Sequence, residues 1–288
     1  MNIIAALVNL ICETSSSLPE DVLESLRAAR RRERKGSSAE VVLKTILDNC
    51  ARAKETRVPL CQDTGTLTFF VAERLRRRVT PSVIQAAVRE ATARGALRKN
   101  CIDAVTGFSY DDNCALGAPV IHYVESDEPT VTLVLKGGGS ENMSRQYSLP
   151  DASLGAGRDL EGVRRSVLDA VEKIQGYGCA PGILGVCIGG DRATGFEVAK
   201  EQLLRPLNEK SGTGDAALRK LEKVLLKEAN ALGIGPMGLG GKTTLLGVKM
   251  AARPRVPASF FVTVAYMCWA CRRRTLTLDF ALGAAGHK

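Results

Sequence analysis

The segment that most constrains this chain is 59–66, with the sequence Pro-Leu-Cys-Gln-Asp-Thr-Gly-Thr. A thiol, an amide, a carboxylate and a hydroxyl occupy consecutive positions there, from Cys61 to Thr64. Gly65 then frees the backbone to turn, and the apolar run 67–71 predicts a strand. Polar groups crowded at a strand entrance are costly to bury unless they bind something. The segment therefore indicates either a binding site or a decorated turn with a core cysteine.

Capping signals predict helices along much of the chain. The S-x-x-E patterns that begin at Ser17 and Ser37 fit capping boxes, which place helices at about 19–34 and 38–56. Proline is favoured at the first helical position, so Thr80 and Pro81 predict a helix that stops near Gly95. Further helices are expected at 1–12, 159–175, 194–204 and 215–231.

Runs of β-branched residues predict the strands. Residues 119–124 and 130–135 are joined by an acidic, proline-containing turn, which predicts an antiparallel pair. A buried strand is expected at 183–188, and two more at 243–250 and 259–266. A hairpin mixed with helical blocks favours an α+β fold, with mixed sheets flanked by helices in a single large domain over residues 1–288.

The formal charge of +9 raises the question of nucleic-acid binding. The arginines lie in helical runs such as 30–35 and 74–78, and aromatic residues, at 5%, do not interleave with them as stacking platforms would. Solvated helix faces explain the charge better, and a mild positive field would help to gather an anionic substrate. No run approaches the ~20 apolar residues that cross a bilayer. Neither nucleic acid nor membrane is expected as a partner.

Nine cysteines and two histidines limit the possible chemistry. The apolar segment 1–12 lacks the basic start of a signal peptide, so the cysteines are expected to be thiols in a cytoplasmic protein. With only His122 and His287, the chain has few histidines for a histidine-based catalytic triad or a zinc site. Cys268 and Cys271 form a lone C-x-x-C, which as a redox pair should open a helix after a strand.

Four glycine-dense elements, at 61–66, 136–142, 176–182 and 233–244, each end a predicted strand or helix. Glycine lets main chain approach a ligand closely, so a shared pocket is favoured over plain turns. The last element is similar to a phosphate loop. Pro236, however, occupies the place of the first glycine in G-x-x-x-x-G-K-[ST], which argues against nucleotide binding.

Three cysteines, Cys61, Cys179 and Cys268, each follow an extended or glycine-rich segment. If they converge, three thiolates with few histidines suit an iron–sulfur centre better than zinc.

Five motifs occur in the order of a known family: PLCQDTG at 59–65, KGGGSENMS at 136–144, GCAP at 178–181, GIGPMGLGG at 233–241 and CWA at 268–270. Over essentially the whole chain they resemble the α subunit, or N-terminal domain, of iron–sulfur-dependent class I fumarate hydratases and L(+)-tartrate dehydratases. The resemblance implies that Cys61, Cys179 and Cys268 hold a [4Fe–4S] cluster whose fourth iron has no protein ligand. An open iron is a Lewis acid that can bind the substrate's carboxylate and hydroxyl.

The resemblance also implies a site for a small dicarboxylate. It places Gln62 and Asp63 in contact with substrate, with Asp63 a candidate in proton transfer. Arg98 would clamp a carboxylate, and the backbone at Gly138 and Gly139 would line the same pocket. A solvated arginine beyond a helix end is the alternative for Arg98.

Two departures from the family pattern bear on function. Val256 stands where the family usually carries a histidine, which would weaken activity or change substrate preference. The family's β part is not in this chain, so we expect an inactive chain that needs a β subunit in a hetero-oligomer. The leading hypothesis is a lyase that reversibly hydrates fumarate to malate in the tricarboxylic acid cycle. The alternatives are L(+)-tartrate dehydration and a catalytically decayed iron–sulfur or redox-sensing protein.

Overall fold

Two four-stranded mixed sheets organise the chain, one in each of the two units into which it divides. The computed structural model describes residues 2–209 and 215–278. Of these, unit 1 comprises residues 2–17, 52–136 and 272–278, and unit 2 comprises residues 18–51, 137–209 and 215–271. Helices combined with parallel and antiparallel strand pairs confirm the α+β class. One family domain over residues 1–288 stays a prediction.

The elements follow the chain in an irregular order. The helices are α1 (Ile3–Ser16), α2 (Glu20–Arg32), α3 (Ser38–Thr56), α4 (Pro81–Ala93), α5 (Gly138–Glu141), α6 (Leu160–Ile174), α7 (Arg192–Gln202) and α8 (Ala216–Ala231). The strands are β1 (Thr66–Ala72), β2 (Cys101–Ile102), β3 (Ser109–Tyr110), β4 (Val120–Val124), β5 (Thr130–Lys136), β6 (Arg145–Ser148), β7 (Gly182–Gly189), β8 (Leu245–Arg253), β9 (Phe261–Met267) and β10 (Arg272–Thr277). In the part of the chain that is described, no helix combines the length and apolar character needed to span a membrane.

The sheet of unit 1 has the strand order β10-β5-β1-β4. β1 pairs in parallel with β4 and antiparallel with β5, and β5 pairs antiparallel with β10. The predicted hairpin of 119–124 with 130–135 is therefore wrong, because β1 lies between the two strands. Helices α1 and α4 pack on each other and form one apolar core with this sheet. This core includes residues of β1, and the first residue of β1, Thr66, is also the last residue of the segment 59–66.

The sheet of unit 2 has the strand order β6-β9-β7-β8. β7 is buried along its whole length and pairs in parallel with β8 and antiparallel with β9. Its run of apolar residues and glycines agrees with the buried strand predicted at 183–188. Helix α7 packs on β7 and β9, and α8 packs on β8. The carboxyl-terminal end of β9 leads directly to Cys268.

Two helices begin at the capping residues that the sequence pattern predicts, and two do not. Ser37 accepts the Glu40 N–H, and Thr80 accepts the Val83 N–H, as predicted. The predicted cap at Ser17 is wrong: its hydroxyl donates to Glu13 O at the end of α1, and α2 begins after Pro19 without a side-chain cap. The predicted start of a helix at Thr194 is also wrong, because the Asp191 carboxylate caps α7.

The region after Cys268 does not form the helix that a redox C-x-x-C would open. β10 begins at Arg272, directly after Cys271. β10 pairs with β5 and not with β9, the strand that precedes it in the sequence. It was not predicted, and neither was the four-residue strand β6. The predicted strands at 243–250 and 259–266 exist, shifted by one to three residues toward the carboxyl terminus.

Candidate functional site

The segment 59–66 forms a tight turn in unit 1 that delivers the chain into β1. The Gly65 N–H donates a 2.9 Å hydrogen bond to Asp63 Oδ1, and Gly65 has a φ of +75°, which favours glycine. The Leu60 N–H donates to Ser15 O at the end of α1. Cys61 and Asp63 are half-buried, and Gln62 is exposed. The turn therefore leaves all three predicted side chains accessible while its backbone is fixed.

Thr64 connects this turn to Arg98, which sequence reasoning did not foresee. The Arg98 N–H donates to Thr64 Oγ1 at 2.8 Å, and the Thr64 hydroxyl donates to Arg98 O at 3.1 Å. The Thr64 side chain is buried, whereas the Arg98 side chain is exposed. The structure thus brings the backbone of Arg98 beside the residue that follows Asp63. The roles of Asp63 and Arg98 at the substrate stay predictions.

Asn113, in the long loop 99–118, holds the backbone around Arg98 through hydrogen bonds of its side chain. Its buried side chain donates to Arg98 O at 3.0 Å and accepts the Asn100 N–H at 2.8 Å. Asn113 has a φ of +60°, in the left-handed region that asparagine tolerates better than most residues. The unusual length of this loop was the sequence feature that could have indicated a role for it. In the structure, the loop fixes the backbone around Arg98.

Arg272 supports the turn from the first position of β10. Its Nη2 donates to Asp63 O at 2.7 Å and more weakly to Thr64 O at 3.4 Å. The side chain is 1% exposed, and its Nε and Nη1 have no hydrogen-bond partner among the described residues. A buried cation is costly without compensating groups. Arg272 is therefore a cationic group whose donors the described chain leaves partly unused.

In unit 2, the second cysteine motif is an exposed turn. Cys179 is exposed, with a φ of +55°, and its N–H donates to Gly176 O at 3.1 Å. The Trp269 N–H donates to Cys179 O at 3.3 Å. Because Trp269 follows Cys268 directly, this hydrogen bond brings the two cysteine-bearing segments together. Two of the three predicted ligands are thus neighbours within one unit.

Tyr266, on β9, fills the space beside these two cysteines. A methyl group at Gly178 or at Gly182 would lie far inside van der Waals contact with its ring, so both glycines are required by close packing. Burial, followed by the negative charges of Cys268 and Cys179, raises the pKa of the Tyr266 phenol well above its ordinary value. Tyr266 Oη has no hydrogen-bond partner among the described residues.

Two more glycine-dense elements meet this part of unit 2. The Met237 N–H, in the last element, donates to Ala180 O at 2.9 Å. Two residues after the element that holds Gly138 and Gly139, Ser144 Oγ accepts the Tyr266 N–H at 3.3 Å. Gly138 and Gly139 begin the short helix α5 and are exposed, and a side chain at Gly139 would meet open space. Their predicted contact with substrate stays a prediction.

The element 233–244 is not a phosphate loop. No helix follows it, since β8 begins at Leu245. The Lys242 N–H, which would face a phosphate in such a loop, donates instead to both carboxylate oxygens of Glu33, at 2.9 and 3.0 Å. Gly235 packs against the backbone of Gly240 so closely that no side chain fits. The prediction against nucleotide binding agrees with this packing.

The remaining cysteines are distinguished by burial. Burial raises the pKa of the Cys50 thiol to about 12, and those of Cys114 and Cys187 to about 11. These thiols keep their protons at neutral pH and fit the predicted role of small core residues. Cys271 is fully buried, in contrast to Cys179.

The three predicted ligands are divided between the units. Cys61 lies in unit 1, and Cys179 and Cys268 lie in unit 2. Within residues 2–209 and 215–278, no three His, Cys, Asp or Glu side chains are grouped so as to hold one metal ion. The three-cysteine ligand set therefore stays a prediction, supported in unit 2 by the adjacency of two of its members.

Val256, which departs from the family pattern, lies in the turn between β8 and β9. Its side chain is 64% exposed. Arg255 Nη1 donates to the carbonyl oxygens of Val256, Pro257 and Ser259, and Arg158 binds those of Pro257 and Ala258. Two arginines thus hold the backbone of the turn, whatever side chain position 256 carries.

Comparison with known proteins gives a consistent set of relatives. A family model described as fumarate hydratase (Fumerase) matches residues 4–277. A candidate class I fumarate hydratase of Geobacillus stearothermophilus is 46% identical over 281 residues, which are 95% of this chain and 54% of that protein. The chain therefore spans about half the length of that relative.

Two relatives are named as α subunits. A candidate L(+)-tartrate dehydratase subunit alpha of Methanocaldococcus jannaschii is 34% identical over 98% of this chain and 100% of its own length. The L(+)-tartrate dehydratase subunit alpha of Escherichia coli K12 is 30% identical over 93% of this chain and 88% of its own length.

Proposed function

The chain belongs to the fumarate hydratase (Fumerase) family, and on that premise we propose that it is the α part of an iron–sulfur-dependent hydro-lyase that interconverts fumarate and malate. The observation that carries the proposal is the pairing of the Cys179 and Cys268 segments through the Trp269 N–H. Among the relatives reported above, the higher identity to the candidate class I fumarate hydratase, 46% against 34% for the Methanocaldococcus relative, favours fumarate over L(+)-tartrate.

We assign Cys61, Cys179 and Cys268 as the ligands of a [4Fe–4S] cluster. The residues present fit such a group: Cys179 is exposed, Cys61 and Cys268 are half-buried, and each unit holds a buried donor without a described partner. These donors are Nε and Nη1 of Arg272 in unit 1 and Oη of Tyr266 in unit 2. When bound, the cluster would supply a Lewis acid that draws electron density from the C–O bond that breaks.

The chain's own residues would supply the base and one carboxylate clamp. Elimination of water needs a group that takes the C–H proton and cations that hold the carboxylates. Asp63 Oδ1 is occupied by the Gly65 N–H, and Oδ2 accepts no hydrogen bond from a described residue, so we assign proton transfer to Oδ2. The Arg98 guanidinium is exposed and forms no ion pair within the described chain, which leaves it available for a dicarboxylate.

Gln62, Gly138 and Gly139 complete the proposed contacts of the substrate. The Gln62 amide is exposed next to Asp63, and it can both donate to and accept from the substrate's polar groups. Gly138 and Gly139 are exposed, so their backbone can approach a carboxylate closely.

A separate β subunit would complete the site. Two relatives are named as α subunits, and the chain spans 54% of the Geobacillus relative, whose length leaves room for a second part. We propose that the chain alone is inactive and that a hetero-oligomer with the β subunit carries the activity. No disulfide joins any of the nine cysteines, all of which lie within the described residues, and reduced thiols are typical of cytoplasmic proteins.

The experiment is an anaerobic assay of the full chain, alone and with a β partner, after reconstitution with iron and sulfide. We expect fumarate hydration and malate dehydration by the pair, and no turnover by the chain alone. Turnover of L(+)-tartrate alone would replace fumarate with the second candidate substrate. Cluster uptake without turnover of either would favour a decayed iron–sulfur protein, and no uptake would overturn the proposed cofactor.

A further inference from the structure

A buried hydroxyl in unit 2 has no assigned role. Tyr266 is 1% exposed, and its Oη has no hydrogen-bond partner among the described residues. An unpaired buried polar group costs free energy that phenylalanine at the same position would avoid. A tyrosine at this position therefore points to a partner that the described chain does not itself provide.

The position of the ring is strongly determined. The Tyr266 ring lies against Gly178 and Gly182, where any larger residue would collide with it. Gly178 precedes Cys179 directly, so the ring packs against the turn that carries this thiol. The backbone of Tyr266 is held by Ser144 Oγ and by the pairing of β9 with β7. The hydroxyl is consequently presented from a rigid strand and not from a loop.

One of the predicted ligands lies close to the ring. Cys268, two residues along the chain from Tyr266, packs against the same apolar core that contains the Tyr266 ring. A tyrosine hydroxyl carries a proton that it can donate in a hydrogen bond.

We propose that Tyr266 is a positioning residue that donates a hydrogen bond from Oη to a sulfur atom of the iron–sulfur group held by Cys179 and Cys268. This inference rests on the proposed function. Hydrogen bonds to the sulfurs of such groups are among the interactions that set their reduction potentials. A donor near the sulfur stabilises the more negative, reduced state, so loss of the donor should make the potential more negative.

The test compares Tyr266→Phe with Tyr177→Phe in the full chain, reconstituted anaerobically with iron and sulfide. Tyr177 is a matched control because it lies two residues before Cys179 and is 77% exposed. We expect wild-type iron and sulfide content in both variants, with a more negative reduction potential and faster loss of iron in air for Tyr266→Phe alone. Equal potentials in the wild type and Tyr266→Phe would overturn the inference and leave the proposed function intact.

The metal-free proteins provide a second measurement. If Oη has no protein partner, Tyr266→Phe without iron should unfold at the same temperature as the wild type or at a higher one. A large fall in the unfolding temperature, or failure to fold, would show that the hydroxyl serves the polypeptide itself and would overturn the inference. A wild-type chain that takes up no iron and sulfide would overturn both the inference and the proposed function.

Discussion

The guanidinium Nη2 of Arg272 donates a 2.7 Å hydrogen bond to the backbone carbonyl oxygen of Asp63, 209 residues earlier in the chain. Both residues belong to unit 1, and both lie next to a cysteine motif in the sequence. The contact fixes the peptide that carries the proposed base, while it leaves the Asp63 carboxylate itself uninvolved. Arg272 therefore acts on the turn through the backbone.

Arg272→Met should loosen this turn. The substitution removes the donor from Asp63 O, and loss of such a charge-assisted hydrogen bond costs about 1.5–3 kcal/mol, partly offset because a buried charge is also removed. We expect a net loss of about 1–2 kcal/mol in the free energy of unfolding, measured by urea denaturation, and faster hydrogen exchange at the Gly65 amide. Arg94→Met, at an exposed arginine paired with Glu90, is the control. Unchanged exchange at Gly65 would contradict the role given to Arg272.

Asp63→Asn should separate chemistry from structure. Asparagine keeps an oxygen that accepts the Gly65 N–H, but it cannot take a proton. General base catalysis contributes about 10²–10⁴-fold, so we expect kcat of the reconstituted α/β pair to fall by about that factor, with unchanged iron content and unfolding temperature. Asp111→Asn, at an exposed surface carboxylate, should leave kcat unchanged. A kcat within a few-fold of the wild type would exclude Asp63 as the base.

Replacing single cysteines by serine should divide them into two groups. Cys61→Ser, Cys179→Ser and Cys268→Ser are expected to abolish iron and sulfide uptake and the brown colour, because serine lacks the soft thiolate ligand. Cys12→Ser and Cys114→Ser should take up wild-type amounts. Iron and sulfide quantification after anaerobic reconstitution is the measurement. Normal uptake by any of the first three variants would remove that residue from the ligand set.

The buried thiols predict how stability depends on alkaline pH. Burial raises the pKa of Cys50 from 9.0 to about 12. Between these values the unfolded chain loses this proton while the folded chain keeps it, so the free energy of unfolding falls as pH rises, by up to about 1.4 kcal/mol per pH unit for one thiol. The contribution is fully present below about pH 9 and is lost as pH approaches about 12.

Urea unfolding at several pH values, with a reductant present, should therefore show a steeper decline above pH 9 for the wild type than for Cys50→Ala. Cys114 and Cys187, with pKa values of about 11, contribute to the slope that remains. Identical slopes in the two proteins would mean that the Cys50 thiol is not protected from ionisation in the folded state.

Val256→His tests whether the chain is a weakened enzyme or a decayed one. Because position 256 is 64% exposed and two arginines hold its turn, we expect a change within about 0.5 kcal/mol in the free energy of unfolding. If the histidine restores a missing proton donor, kcat/KM of the α/β pair should rise. Val256→Gln, which restores polarity without a titratable group, is the control. Background activity in all three proteins would favour the decayed iron–sulfur protein.

The parts of the fold that the sequence predicted well are those determined by neighbouring residues. Ser37 and Thr80 begin α3 and α4 because a cap acts within three residues. The pairing of β4 was mispredicted because β1, more than fifty residues earlier, takes the place beside β5. Local pattern carries no information about which strand will lie between two others.

In the candidate site, too, features determined by neighbouring residues could be predicted, and those determined by distant residues could not. Cys61, Gln62 and Asp63 could be identified because their chemistry is concentrated in one short segment. Arg272 and Tyr266 could not, because what makes each one unusual is its burial without a full set of partners, and burial is decided by distant parts of the chain. Asp191, which caps α7 in place of Thr194, was missed for a simpler reason: two candidate capping residues lie three positions apart, and the Asp191 carboxylate accepts the N–H groups of Ala193 and Thr194.

The position of Tyr266 on β9 has a consequence for insertions and deletions in this strand. In a strand, inserting or deleting one residue turns every following side chain to the opposite face. A single-residue insertion between Phe261 and Tyr266 would swing the ring out of the space beside Gly178 and Gly182 and would move Cys268 away from Cys179. The number of residues in β9, and not only their identity, therefore decides whether Tyr266 and Cys268 reach the segment that carries Gly178 and Cys179.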